Sequence, residues 1–137
     1  MPTKRPLPVL LPERLRRVPR SFAWIDHRLR SGGFLEKLTP EEVALYLFLA
    51  LAADRDGLSC WRLDRIEREI PFDVAALTRA RKGLRARDLV AFRPWRTKGV
   101  DGSYQVLSLP KVEAAPVRTG GVASLGDVLR ESFERRR

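Results

Sequence analysis

Apolar residues recur at helical spacing in three central stretches and at strand spacing in three shorter ones, and their order organises the chain. Thr39-Pro40-Glu41-Glu42 is a capping box with proline at the first helical position: the threonine oxygen accepts an amide hydrogen bond while Glu42 reaches back. The following body, VALYLFLALAA, is apolar on nearly every side and predicts a buried central helix. Asp54-Arg55-Asp56-Gly57 is turn chemistry that stops it. Leu58-Ser59-Cys60-Trp61 predicts a short strand with Cys60 buried in it. Leu63, Ile66 and Ile70 form an i, i+3, i+7 stripe, with Asp64, Arg65, Glu67, Arg68 and Glu69 outward, and predict a second helix. Ile70-Pro71-Phe72 makes a turn, and Asp73 is an N-cap for a third helix with Val74, Leu77, Ala80 and Leu84 on one face. Thr78, Arg79, Lys82 and Arg85 fall on the opposite face. Gly83 weakens this helix by about 1 kcal/mol relative to alanine, which suggests a close backbone approach. A strand over 90–93, a polar loop over 96–103 and a strand over 104–109 complete the block.

The flanks read differently. Residues 1–20 form a basic arm with prolines at 2, 6, 8, 12 and 19, so they cannot be one regular helix. Residues 21–34 hold Phe22, Trp24, Ile25 and Leu29 before Gly32-Gly33, and predict a short helix or strand packed by its aromatics. Residues 111–123 read as a linker. Residues 124–137 place Leu125, Val128, Leu129 and Phe133 on one face of a C-terminal helix ending in three arginines. Helices below about 12–15 residues are marginal alone, so this one needs a surface: its own core, a second copy or another protein. The domain proper is expected over 21–110.

Composition sharpens the picture through charge. The 137-residue chain is 44% hydrophobic, enough for a packed core, and carries a formal net charge of +10, which points to polyanionic partners. The first 20 residues hold six Lys/Arg against Glu13 alone. Residues 73–98 hold eight basic residues (Arg79, Arg81, Lys82, Arg85, Arg87, Arg93, Arg96, Lys98) and two acidic ones. Positive charge is therefore gathered on the third helix and the loop region after it, whereas a merely solvated face more often mixes both signs. The arm is either a segment that tracks along DNA or a solvated tail.

The longest apolar run, 43–53, is eleven residues, far short of the roughly 20 a membrane span requires. No secretory signal pattern is visible, and a single cysteine fits a reducing cytoplasm. One histidine and one unclustered cysteine assemble no metal site or nucleophile–base pair of the common kinds. The DxDG turn is not a calcium loop, because Ala52 and Leu63 would stand where Asp and Glu are needed. Gly32-Gly33 and Gly120-Gly121 lack the context of a phosphate loop. No enzyme activity and no cofactor are expected.

Helix, turn, basic helix and hairpin is the layout of a winged helix-turn-helix, and residues 21–110 resemble the bacterial modules of that kind. Ile66, Ile70 and Phe72 match the family's buried positions, Asp73 its N-cap and Leu77 its core position in the second helix. Leu84, Leu89 and Val90 match the residues that close the helix and open the wing. The upstream run TPEEVALYLFLALAADRDGLSCW is similar to winged domains of plasmid and phage replication initiators and mobile-element accessory proteins. Pro71 stands where such turns usually have a left-handed glycine, a conformation closed to proline, so this turn must be built differently. The resemblance implies an α+β, mainly α fold: a winged helix-turn-helix with a basic N-terminal arm and a C-terminal helix.

It also implies a bacterial, cytoplasmic, nucleoid-associated protein that binds double-stranded DNA, in transcription regulation or as a replication or transposition accessory. The second reading is a protein-interaction adapter on a winged scaffold, with only non-specific nucleic-acid affinity; RNA binding ranks below both, because the chain lacks the aromatic signature of a single-strand RNA platform. A homodimer or a protein partner through the C-terminal helix is allowed for; a membrane is not. In the DNA reading Ala75, Thr78, Arg79 and Lys82 align with the face that meets bases, with Arg79 set for a guanine and Ala75 or Thr78 for a thymine methyl. Lys82, Arg85 and Arg81 would grip phosphates, and Arg93, Arg96 and Lys98 would reach the adjacent backbone or minor groove. Trp24, Trp61 and Trp95 are expected in packing, Trp95 at the base of the wing being the one to watch.

Overall fold

Local chemistry sets the helices and the first strands where the polar-apolar pattern places them, whereas the last strand, expected over 104–109, runs Gly102–Val106 because its register is fixed by pairing with Leu58–Trp61 and Val90–Pro94. The computed structural model describes residues 7–111. The C-terminal helix expected over 124–137, and the linker beyond Lys111, lie outside the described residues. The architecture is α+β: among the described residues, four helices and a three-stranded antiparallel sheet. In chain order these are α1 (Arg28–Ser31), α2 (Pro40–Ala52), β1 (Leu58–Trp61), α3 (Leu63–Glu69), α4 (Val74–Ala86), β2 (Val90–Pro94) and β3 (Gly102–Val106). The sheet order is β1-β3-β2, so the last strand sits in the middle.

The capping box of α2 is complete: Glu42 N–H donates to Thr39 Oγ1 at 3.2 Å and Thr39 N–H to Glu42 Oε1 at 2.9 Å. Leu45 and Leu49 on α2 join Leu63, Ile66, Leu77, Leu84, Leu89 and Tyr104 in a fully buried core. α2 is not buried all round, however. Leu47 is 46% and Leu51 65% exposed, because its packed neighbours, α4 and the sheet, cover only part of its circumference.

Buried Glu42 also explains Gly83. A Cβ at Gly83 would run into the Glu42 carboxylate, which additionally accepts from Arg87 Nε at 3.4 Å. The glycine thus lets α4 close over a charged group that α2 needs for its cap. At the other end, α4 stops in a Schellman motif: Leu89 N–H donates to Leu84 O at 3.0 Å and Asp88 N–H to Arg85 O at 3.0 Å, with buried Leu84 and Leu89 alongside. Asp88 takes the left-handed conformation, φ 61°, where glycine is usual.

The α3–α4 turn resolves the question posed by Pro71. Ile70 is extended (φ −132°, ψ 154°) and Phe72 N–H returns to Ile70 O at 2.8 Å, so the chain turns with no left-handed residue between the helices.

The lead-in differs from expectation. Phe22 and Trp24 are 65% and 72% exposed, and the segment is anchored by buried Leu29 with Phe34, Leu35 and Leu38. Cys60 is exposed as well. Strand alternation turns Ser59 and Trp61 inward and leaves Leu58 and Cys60 outward, with Cys60 Sγ 3.4 Å from Ser103 Oγ. Trp61 packs as expected, edge-on to Phe48 at 4.7 Å between centroids, whereas Trp95 is 53% exposed. The described part of the arm, 7–20, is exposed throughout and holds only a single 3-10 turn, Pro12–Arg14.

Candidate nucleic-acid interface

Helix α4 presents its polar face because most of its apolar stripe is buried, although Val74, expected on that stripe, is exposed at the first turn. Ala76, Leu77, Ala80 and Leu84 are buried, which leaves Ala75, Arg79, Lys82 and Arg85 exposed along the opposite side. Thr78 is half-buried, and its hydroxyl donates to Val74 O at 2.8 Å. Its Oγ therefore has one partner already.

The start of α4 is closed by two carboxylates. Asp73 Oδ1 accepts from Ala76 N–H at 2.8 Å, and Glu67 Oε2, reaching over from α3, accepts from Val74 N–H at 2.8 Å. Both satisfy amides that a bare helix would offer to an anion, and both repel phosphate there. Attraction for a polyanion is accordingly shifted toward the middle and end of α4.

The β2–β3 hairpin continues that surface. The loop 95–101 closes through Trp95 N–H to Asp101 O at 3.0 Å and Gly99 N–H to Arg96 O at 2.8 Å, with Lys98 left-handed at φ 62°. Arg93, Arg96 and Lys98 are exposed. Gly102 opposite Pro94 admits no side chain, since a Cβ would strike Arg93 O. Arg79, Lys82, Arg85, Arg93, Arg96 and Lys98 have no ion-pair partner among the described residues. Arg87, by contrast, is engaged with Glu42.

Arg81 departs from its expected role. It is only 7% exposed, donates from Nη1 to Val100 O at 2.7 Å and to the Tyr104 hydroxyl at 3.0 Å, and stacks over Phe92 at 3.9 Å. A guanidinium so enclosed has no face left for phosphate, so Arg81 is a strut between α4 and the hairpin. Its helical position carried the signal: Arg81 lies four residues after Leu77 and three before Leu84, on the buried edge of the wheel. Burial pushes the Tyr104 phenol above its ordinary range, the Arg81 hydrogen bond opposing this in part.

Asp101 is the second positioning residue that the sequence reading missed. Its Oδ1 accepts from Leu63 N–H at 2.7 Å, capping α3 from 38 residues away. Arg62, the local N-cap position, makes no such bond. The hairpin base is thus held to α3 through Asp101 and to α4 through Arg81.

Among the described residues no group of three or more His, Cys, Asp or Glu could hold a metal ion, and no helix is long and apolar enough to cross a membrane. Comparison with protein-family models, curated proteins and solved structures returned no match.

Proposed function

We propose that this protein binds double-stranded DNA as a non-enzymatic winged helix-turn-helix module, with α4 in the major groove and the β2–β3 hairpin on the flanking backbone. One observation carries the reading: six exposed basic side chains without ion-pair partners among the described residues fall on α4 and on the hairpin pinned to it. The element order and the β1-β3-β2 sheet agree with that architecture. Within the site, Arg79 reads a base edge, Ala75 and the Thr78 methyl offer apolar contact, and Lys82, Arg85, Arg93, Arg96 and Lys98 take phosphates. The role that fits is regulator, or replication or transposition accessory, of a mobile element.

Selection from a randomised duplex library at roughly physiological salt tests this, repeated with Arg79→Ala plus Lys82→Ala. The expected result is a motif recovered by the native chain and lost by the double variant. With those five cations (Lys82, Arg85, Arg93, Arg96 and Lys98) on phosphates, log Kd against log salt should have a slope of about 4.5, near 0.9 per contact. Equal, motif-free binding by both proteins would sink the base-reading assignment. An adapter role is the second reading, favoured by the exposed apolar side chains of the lead-in and of α2. It gains if deleting residues 1–20 or 124–137 abolishes partner capture while Arg79→Ala is silent.

A further inference from the structure

The hairpin carries an aromatic ring that the core does not use. Its loop, 95–101, reads Trp-Arg-Thr-Lys-Gly-Val-Asp, and the two large apolar residues, Trp95 and Val100, are 53% and 48% exposed. The ladder runs one step past β2, since Trp95 N–H donates to Asp101 O at 3.0 Å. Strand alternation therefore puts Trp95 on the same side of the ribbon as exposed Arg93, opposite to Phe92, which packs on buried Tyr104.

The loop beneath the indole is tied to both helices of the pair. Val100 O accepts from Arg81 of α4, and the Asp101 carboxylate accepts from Leu63 N–H of α3. Gly99 N–H donates to Arg96 O at 2.8 Å and tightens the tip. Ordering of this segment is complete on folding, so a partner that meets Trp95 does not have to supply it.

Charge and shape select that partner. Between Leu89 and Lys111 the sequence has one acidic residue, Asp101, whose carboxylate is already spent on α3. Arg93, Arg96 and Lys98 are exposed, with no ion-pair partner among the described residues. An exposed indole among unneutralised cations suits a polyanion that has apolar surface inside it, as a nucleic acid has. The grooves of about 630, 620 and 380 Å³ beside α2 contain no residue of 72–104, so Trp95 lies on a hairpin loop outside all three. An apolar ring at a hairpin tip fits a concave partner, and the duplex minor groove, about 6 Å wide, is one.

We infer that Trp95 is a wedge, which enters the minor groove beside the α4 contact, unstacks one base step and bends the duplex. This rests on the duplex-binding reading above and deepens it. Arg93, Arg96 and Lys98 take the phosphates around the opened step. Because pyrimidine–purine steps such as TA and CA/TG unstack most easily, Trp95 adds a sequence preference at a position that α4 does not touch.

The test uses the full chain with the duplex recovered by library selection, or with a mixed-sequence duplex at low salt if no motif emerges. Bending is read by energy transfer between dyes on the two duplex ends, and unstacking by 2-aminopurine placed at successive steps. The native protein should bend the duplex by roughly 20–90° and brighten 2-aminopurine at one step. Trp95→Ala should bind about tenfold more weakly and lose both signals, while Trp95→Phe keeps part of each. Trp95→Gln, which keeps a wettable side chain of some bulk, should behave as Trp95→Ala does, with the urea midpoints of both close to native. Arg79→Ala should weaken binding and leave the bend. A straight duplex in the native complex, or a bend that survives Trp95→Ala, overturns the wedge while duplex binding stands. Trp95-dependent binding that is tighter to a single strand than to the duplex overturns it as well, and makes the indole a stacking platform. Absence of duplex binding by the native chain even at low salt would sink the duplex-binding reading, and the wedge with it.

Discussion

Arg81 and Arg79 are two residues apart on one helix and do opposite work. Arg81→Ala removes a stacked, doubly hydrogen-bonded guanidinium and leaves Val100 O and the Tyr104 hydroxyl without a donor. Its expected cost is about 2–4 kcal/mol in urea unfolding. Arg79→Ala should change stability by less than about 0.5 kcal/mol while weakening a DNA complex by about 1–3 kcal/mol. A stable Arg81→Ala protein that had lost only DNA affinity would restore Arg81 to the phosphate contacts. Asp88 gives a gain instead: with φ 61°, Asp88→Gly should raise stability by about 0.5–1 kcal/mol, read as a higher denaturation midpoint. Substituting an asparagine there should gain less, since it keeps the Cβ.

At the scale of elements, the hairpin and α3 are one unit. Asp101→Ala should cost about 1 kcal/mol, in keeping with loss of an N-cap, and should speed amide exchange at Leu63 and along β1 together. An effect confined to the hairpin would deny the coupling. Helices α2, α3 and α4, and the N-caps of α2 and α4, were legible beforehand, because capping box, Asx cap and periodicity are local signals. α2, α3 and α4 start where Thr39, the Leu63 stripe and Asp73 place them. What could not be read was set by distant partners. Cys60 faces outward because of which side of β1 meets the core, Phe22 and Trp24 find no cover among the described residues, and Asp101 finds its donor across the fold. At the candidate site the exposed set Ala75, Arg79, Lys82, Arg85, Arg93, Arg96 and Lys98 was visible in charge and spacing alone. Arg81 was assigned by charge when its wheel position, between Leu77 and Leu84, pointed inward.

For the whole molecule, the buried phenols set the alkaline limit. Burial raises the pKa of Tyr104, and of Tyr46 together with the field of Asp26, so the folded state holds these protons more tightly than the unfolded chain. Their contribution is complete below the unfolded value of about 10 and is lost as pH rises through the folded values. Stability should therefore decline above pH ~10, with a shallower decline in Tyr104→Phe; an identical decline would assign the loss to other groups. The position of β3 has a consequence for how the molecule is made. Among the described residues β1 pairs only with β3, more than 40 residues downstream, and α3 takes its cap from Asp101, so neither can be completed while the chain ends before the hairpin. During synthesis the domain must wait for residues 102–106 and then close in one cooperative step, its earlier elements staying within reach of proteases and chaperones until that strand emerges.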